Sequence, residues 1–297
     1  MSLTINTNVA SLNAQRNLAI NSQNLGVSVQ RLSSGLRINS AKDDAAGLSI
    51  SEKLRAHVRS INVAVRNSQD GISLSQTAEG GLSEIGGILG RMRELATQSA
   101  NGTLANGDRN AIEKEFGQLA SEIDRISNVT EFNGQKLLDG SLSGGVAAPQ
   151  GPVGNTGPGQ MSLQVGFKND ASANNWDQIN FQVAKVDTAG LKVTKTGGNY
   201  VNTVTNARNM ITTLDNAIAT VSDQRGNLGA IQNRLDSTIS NLRIAAENLS
   251  AADSRVRDAD FAVETSTFTK NQILTQSATA ILAQANTLPQ AALQLLR

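Results

Sequence analysis

Leu214, Val221, Leu228, Leu235, Leu242, Leu249 and Val256 stand seven residues apart without interruption, and Ile211, Ile218 and Ile239 occupy companion positions four residues after the same register. A repeat of seven, rather than 3.6, keeps one apolar seam in line over many turns. That is the signature of a left-handed supercoil and calls for partner helices along its length. As one helix this stretch would run about 65 Å, whereas a compact sphere of this chain length is about 50 Å across. The pattern predicts an elongated, coiled-coil-like helical rod with the rung Leu214 to Val256 in its core.

Further stripes extend the helical reading. Leu18, Leu25, Val29 and Leu32 form a first amphipathic run, closed by the small residues Ser33, Ser34 and Gly35. After a joint, Ile50, Leu54, Ile61, Val65 and Ile72 form a second run, and Leu82, Ile85, Leu89, Met92 and Ala96 a third. Asn101-Gly102 ends it, and Ile112, Phe116, Leu119, Ile123 and Ile126 form an antiparallel return with Asn106 or Asp108 as its N-cap. Leu274, Ala278, Ile281, Ala285, Leu288, Ala292 and Leu295 then repeat the heptad near the other end, where Pro289 is expected to kink or fray the helix.

Between the helical arms the texture changes. Pro149, Pro152 and Pro158 fall in a glycine-rich stretch that cannot sustain helix. Strand-like runs follow at 161–167, 179–186 and 191–194, with Trp176 as the large aromatic anchor. The expected fold is mainly α, a helical rod built by both termini with a small β-rich central insert. The expected divisions are 1–42 with 256–297 as a terminal coiled coil, 43–140 with 201–255 as the rod, and 141–200 as an outer insert on the surface, dispensable for assembly.

The two ends are amphipathic yet almost uncharged: the first thirty residues hold one charge, Arg16, and residues 271–296 none. A membrane-surface helix would carry Lys or Arg on its polar face, and a freely solvated one would show charge pairs. Neutral amides and hydroxyls suit a face packed against other polypeptide, where an unpaired charge is expensive. Leu18, Leu25, Leu32, Leu274, Ile281, Leu288 and Leu295 are therefore candidate polymerisation positions. Such ends are expected to fold only when partners cover them.

Composition narrows the function. Aromatic residues make up 3% of the 297, against 39% hydrophobic overall, which favours aliphatic zippers over ligand pockets. A net charge of +1 from 26 basic and 25 acidic residues lacks the electrostatic footprint of a nucleic-acid binder. There is no cysteine, which excludes disulfides and thiolate chemistry, and no apolar run long enough for a membrane span. Met1 to Ala10 has neither a basic n-region nor an apolar h-region, so export without a cleavable signal peptide is expected.

Several motifs carry a resemblance. Leu32-Ser33-Ser34-Gly35-Leu36-Arg37-Ile38-Asn39, the run Ala41 to Leu48, and Arg93-Glu94-Leu95-Ala96 with Gln98 to Asn101 closely resemble bacterial flagellin. So do Glu247-Asn248-Leu249, Ser254 to Asp258, Gln272-Ile273-Leu274, Gln284-Ala285-Asn286, Pro289-Gln290 and Leu295-Leu296-Arg297 at the other end. The match spans residues 1 to about 140 and about 200 to 297. The resemblance implies termini paired as an inner coiled coil around a channel, an outer rod packing between subunits, and a secreted filament subunit of the extracellular bacterial flagellum that serves swimming motility. It implies as partners further copies of the chain, the flagellar export apparatus and its flagellin chaperone, and the cap and hook-junction proteins. Arg91, Arg93, Glu94 and Leu95, with Glu115, match the segment recognised by a host Toll-like receptor. Met92 and Leu89 belong to the buried stripe, so Arg91 and Leu95 are expected to project from other faces as a shared receptor and subunit surface. A hook-filament junction protein and a coiled-coil adhesin are the alternatives.

Catalytic chemistry finds no footing. His57 is the sole histidine, so neither a histidine-pair zinc motif nor a Ser-His triad with a spare metal site can be built. Asp43 and Asp44, beside Lys42 in a helix joint, suit capping and ion pairing better than a carboxylate site. Gly86, Gly87 and Gly90 sit in a heptad helix and form no phosphate loop, and close helix packing is their expected role. A structural protein without cofactor, metal or enzymatic activity is the reading.

Overall fold

The computed structural model describes residues 7–142, 161–166, 177–195 and 199–294, with side chains as far as Thr287. Expectations placed on Trp176, on Pro149, Pro152 and Pro158, and on Leu295 lie outside the described residues, as does the side chain of Leu288. Among them are five helices, α1 (Val9–Ser34), α2 (Ala45–Ser99), α3 (Asn106–Val129), α4 (Val204–Arg257) and α5 (Phe261–Gln294). Two antiparallel hairpins accompany them, β1 (Glu131–Phe132) with β2 (Gln135–Lys136), and β3 (Met161–Gln164) with β4 (Gln178–Phe181). The fold is mainly α, and α5 continues through Pro289.

Local chemistry sets the helix ends. Asn8 caps α1 by accepting from the Ser11 amide at 3.1 Å, and Gly35, at φ 71°, closes it in the left-handed region that glycine enters freely. Asp44 accepts from the Gly47 amide at 2.9 Å to start α2. The other end of α2 is capped from outside. Arg109, buried at the start of α3, donates to the carbonyls of Ser99 and Asn101 at 3.1 and 2.8 Å, placing a cation where helix carbonyls lack partners. Glu113 accepts from the amides of Tyr200 and Val201 at 2.7 and 2.6 Å and so fixes the approach to α4. Asn133 and Gly134, both at positive φ, make the tight β1–β2 turn.

The chain divides into two compact units, residues 1–58 with 247–297, and residues 59–246. Residues 43–58 and 247–255, which the sequence assigned to the rod, thus group with the termini. Ser51 and Arg55 hold them together by donating to Asp253 at 2.5 and 2.9 Å, and Arg257 pairs with Glu52 at 3.2 Å.

In the longer unit α2, α3 and α4 share one core of Leu82, Ile85, Leu89, Met92, Phe116, Ile123, Leu214, Val221 and Leu228. Leu235 and Leu242 continue the buried rung, while Leu249 and Val256, in the other unit, are half-buried. The described part of the central segment is not an appended surface insert. Phe181, Val183, Val186, Leu191 and Val193 are buried in that same core, Val186 donates its amide to the Leu138 carbonyl, and Thr188 is held by Asp124. These apolar side chains fill space that three helices alone leave open. Residues 191–194, expected as a strand, are turn and irregular backbone that includes Lys192 at φ 59°.

The glycines of α2 also differ from expectation. A Cβ built on Gly87 or Gly90 would meet nothing within 4 Å, and one on Gly86 only Val221 at 3.9 Å, so close helix packing does not account for them. Other glycines of α2 are crowded: a Cβ on Gly47 would lie 2.5 Å from Asp44, one on Gly81 2.8 Å from Leu138, and one on Gly71 2.6 Å from Leu163 of β3.

Candidate assembly surfaces

In the shorter unit α1 and α5 pack antiparallel. Asn8 donates to the Ala285 carbonyl at 2.7 Å, Ser11 to Asn286 at 2.8 Å and Asn271 to Ser28 at 3.4 Å, and Arg31 lies 3.6 Å from Glu264. On α1 the residues turned inward are Ser11, Ala14, Leu18, Asn21, Leu25, Ser28 and Leu32; on α5 they are Glu264, Phe268, Asn271, Thr275, Ala278, Leu282 and Ala285. Both sets alternate steps of three and four, the spacing of a coiled-coil seam. The seam is rich in small and polar residues.

The large apolar residues are mostly elsewhere. Val9, Leu12, Ile20, Val27 and Val29 on α1 and Val263, Ile273, Leu274 and Ile281 on α5 are exposed, Ile281 at 60%. This corrects the expected α5 stripe: Ala278 and Ala285 do face α1, but Leu274 and Ile281 face away from it. Of the α1 candidates, Leu18, Leu25 and Leu32 are half-buried in the seam. Leu18, Leu25, Leu32, Phe268 and Leu282 do turn inward, but a second set of large aliphatic side chains is left outward on both helices.

The joint after α1 is tied to the end of α4. Leu36 bridges to Asp258, Arg37 donates its amide to the Arg257 carbonyl at 2.7 Å, and Ala259 donates to Gly35 at 2.9 Å. Asp43 accepts from the amides of Asn39 and Ser40 at 3.1 and 2.9 Å, and these bonds lower its carboxyl pKa. Burial pushes the Asp253 carboxyl up. Hydrogen bonds from Ser51 and Arg55, with the charges of Arg55 and Arg257, outweigh burial and hold it below its ordinary value.

In the longer unit Arg91 bridges two helices, pairing with Glu115 of α3 at 2.9 Å and with Glu94 at 3.0 Å. All three side chains are exposed, and the two carboxylates raise the Arg91 pKa. Arg93 faces the other flank and pairs with Asp215 of α4 at 2.6 Å. Leu95 does not join them. It is 2% exposed and sits in the core, because three residues after Met92 it returns to the inward stripe beside α3. The structure thus assembles Arg91, Glu94 and Glu115 on one surface and separates Arg93 and Leu95 from it. His57 is exposed on α2, and among the described residues no cluster of three or more metal-ligating side chains exists.

Comparison with known proteins places this geometry. The family model described as the bacterial flagellin N-terminal helical region matches residues 5–143, and that described as the bacterial flagellin C-terminal helical region matches residues 211–296. The flagellin of Halalkalibacterium halodurans is 48% identical over 293 residues, covering 99% of each chain. That of Bacillus subtilis is 45% identical over 312 aligned positions, again covering 99% of each chain. A solved structure described as a putative flagellar hook-associated protein from Vibrio parahaemolyticus superposes with a TM-score of 0.54 at 15% identity, over 73% of this chain and 100% of that one, a likeness of fold alone.

Proposed function

The chain belongs to the bacterial flagellin family, structural proteins of the flagellar filament, and on that premise we propose that it polymerises through its terminal helices into a filament that drives swimming. The observation that carries this reading is the pair α1–α5, which leaves Leu12, Ile20, Ile273, Leu274 and Ile281 exposed and in need of covering. Each such side chain is worth about 1.5–3 kcal/mol when fully buried, so a copy gains by lending these faces to its neighbours. Contacts between unlike patches then repeat without closing, which yields an open helical polymer. Export proceeds through a dedicated apparatus, with a chaperone covering the apolar terminal helix; the capping and junction proteins meet the ends of the polymer outside the cell.

The Arg91, Glu94 and Glu115 surface is the second contact region, used between copies and, in shed monomer, by a Toll-like receptor. Support comes from the sequence match of this segment and from the exposure of all three side chains. Leu95 contributes by holding α2 in place rather than by touching a partner. Arg91→Ala is expected to weaken binding of folded monomer to a soluble receptor ectodomain by about 2 kcal/mol, and unchanged affinity would remove the receptor role.

Polymerisation itself is tested by the double substitution Leu274→Asp and Ile281→Asp. The purified wild-type chain should form filaments visible by electron microscopy as its concentration rises. The variant should stay monomeric with the helical circular dichroism of the wild-type monomer. Filaments of equal length and yield from the variant would refute this assignment of the outward face.

A further inference from the structure

The α1–α5 seam has an energetic weakness. Its larger α1 residues, Leu18, Leu25 and Leu32, recur every seven residues and Ser11, Ala14, Ser28, Ala278 and Ala285 between them are small, so sliding one helix by a heptad re-seats leucine where leucine was and apolar burial discriminates the registers weakly. Register must then come from polar contacts. Near one end of the seam Glu264 is buried, 8% exposed, and its carboxylate lies 3.6 Å from the guanidinium of Arg31. Two turns further along α5 Asn271, also buried, meets Ser28. The ion pair is imperfect, with Oε1 of Glu264 and Nε of Arg31 buried without hydrogen-bond partners.

An ion pair of this kind adds little net stability, since its attraction is largely spent on desolvation, but separating it leaves a buried charge alone at a cost of several kcal/mol. Slipping the helices by seven residues would do that to Glu264. Helix polarity adds to the selection. Glu264 lies in the first turn of α5 and Arg31 in the last turn of α1, each where the helix dipole favours its charge. A single polar position in an apolar seam is a known means of fixing register in coiled coils.

We propose that Arg31 and Glu264, with Ser28 and Asn271, form a register lock that sets the axial alignment of α1 against α5. The lock matters because the outward apolar face is composite: Leu12 and Ile20 come from one helix, Ile273 and Ile281 from the other. A slip of one heptad, about 10 Å along the axis, would dismantle the face presented to the next copy. This inference rests on the filament reading, in which that face is the one covered.

The chain has no cysteine, so register can be read by cross-linking. Ser11→Cys with Asn286→Cys, outside the lock and in contact at 2.8 Å, reports the native alignment, and Ser11→Cys with Thr279→Cys an alignment shifted by one heptad. In otherwise wild-type filaments the native pair should form the intrachain disulfide at least about tenfold more than the shifted pair, since only cysteines whose Cα atoms lie within about 7 Å can be bridged. Glu264→Arg should abolish filaments or bring the two yields close to equal, and Arg31→Glu with Glu264→Arg should restore both filaments and the native preference. Wild-type-like filaments and preference in Glu264→Arg, or failure of the double exchange to restore either, would overturn the lock. Failure of the otherwise wild-type chain to polymerise would instead count against the filament reading.

Discussion

At the scale of single residues, phase decides more than identity. Leu95 looks like an exposed apolar neighbour of Arg91 in the sequence, but its step from Met92 turns it into the core. Arg91 and Glu115 could be named from the family match; that they meet across α2 and α3 at 2.9 Å depends on a helix–helix alignment that periodicity does not supply. Buried Arg109 carries no sequence signal at all, since its partners are backbone carbonyls. Within the rung, burial now grades the positions. Leu235→Ala removes a fully buried side chain packed with Leu163, Ile179 and Ile231 and should cost about 2–5 kcal/mol in urea unfolding, whereas Val256→Ala, half-buried, should cost about 1 kcal/mol or less. Equal costs would mean that the gradient of burial along α4 is misassigned.

Asp253 gives a residue-scale test in pH. Its folded pKa lies below the ordinary 3.8, so its stabilising contribution is fully present above that value and is lost as pH falls through the lower folded value. Acid titration of the folded chain should therefore show stability falling below about pH 4, and Asp253→Asn should remove part of that slope while lowering stability at neutral pH. An unchanged acid slope in the variant would mean that Ser51 and Arg55 do not hold the carboxylate in solution as they do in the structure.

At the scale of elements, the helices were legible and the seam of one of them was not. The heptads of α2 and α4, the glycine stop after α1 and the Asn-Gly breaks all follow from rules about burial within one chain. The α5 stripe was displaced by part of a turn because that rule puts every Leu and Ile inward, and here Phe268, Asn271, Ala278, Leu282 and Ala285 turn inward while Leu274 and Ile281 do not. The role of residues 177–195 was hidden for a related reason: the proline and glycine content nearby suggests surface, while the alternation around Phe181 and Val183 places their side chains in the core. Removing 177–195 should consequently unfold the longer unit.

The glycines of α2 offer a sharper contrast between elements. Gly87→Ala, in open space, should stabilise by about 1 kcal/mol through helix propensity alone. Gly71→Ala should gain less or destabilise, because Leu163 of the β3–β4 hairpin must give way. Thermal unfolding of the two variants side by side decides it, and an equal gain at both positions would show that the hairpin does not seat on α2.

At the scale of the whole molecule, the chain carries surface that makes sense only in the company of other copies. The seam between α1 and α5 mixes leucines with small and polar residues, and the outward side of the pair still carries large aliphatic side chains. On the proposed reading, folding of these helices is coupled to assembly, with the entropy of ordering them offset by burial between copies. Hydrogen exchange of residues 7–34 and 261–294, followed in monomer and in filament, tests this most directly. The account predicts rapid exchange in the monomer, slowed by orders of magnitude in the filament, while amides of the core around Phe116 and Leu214 are protected in both. Equal protection of the terminal helices in the two states would contradict it.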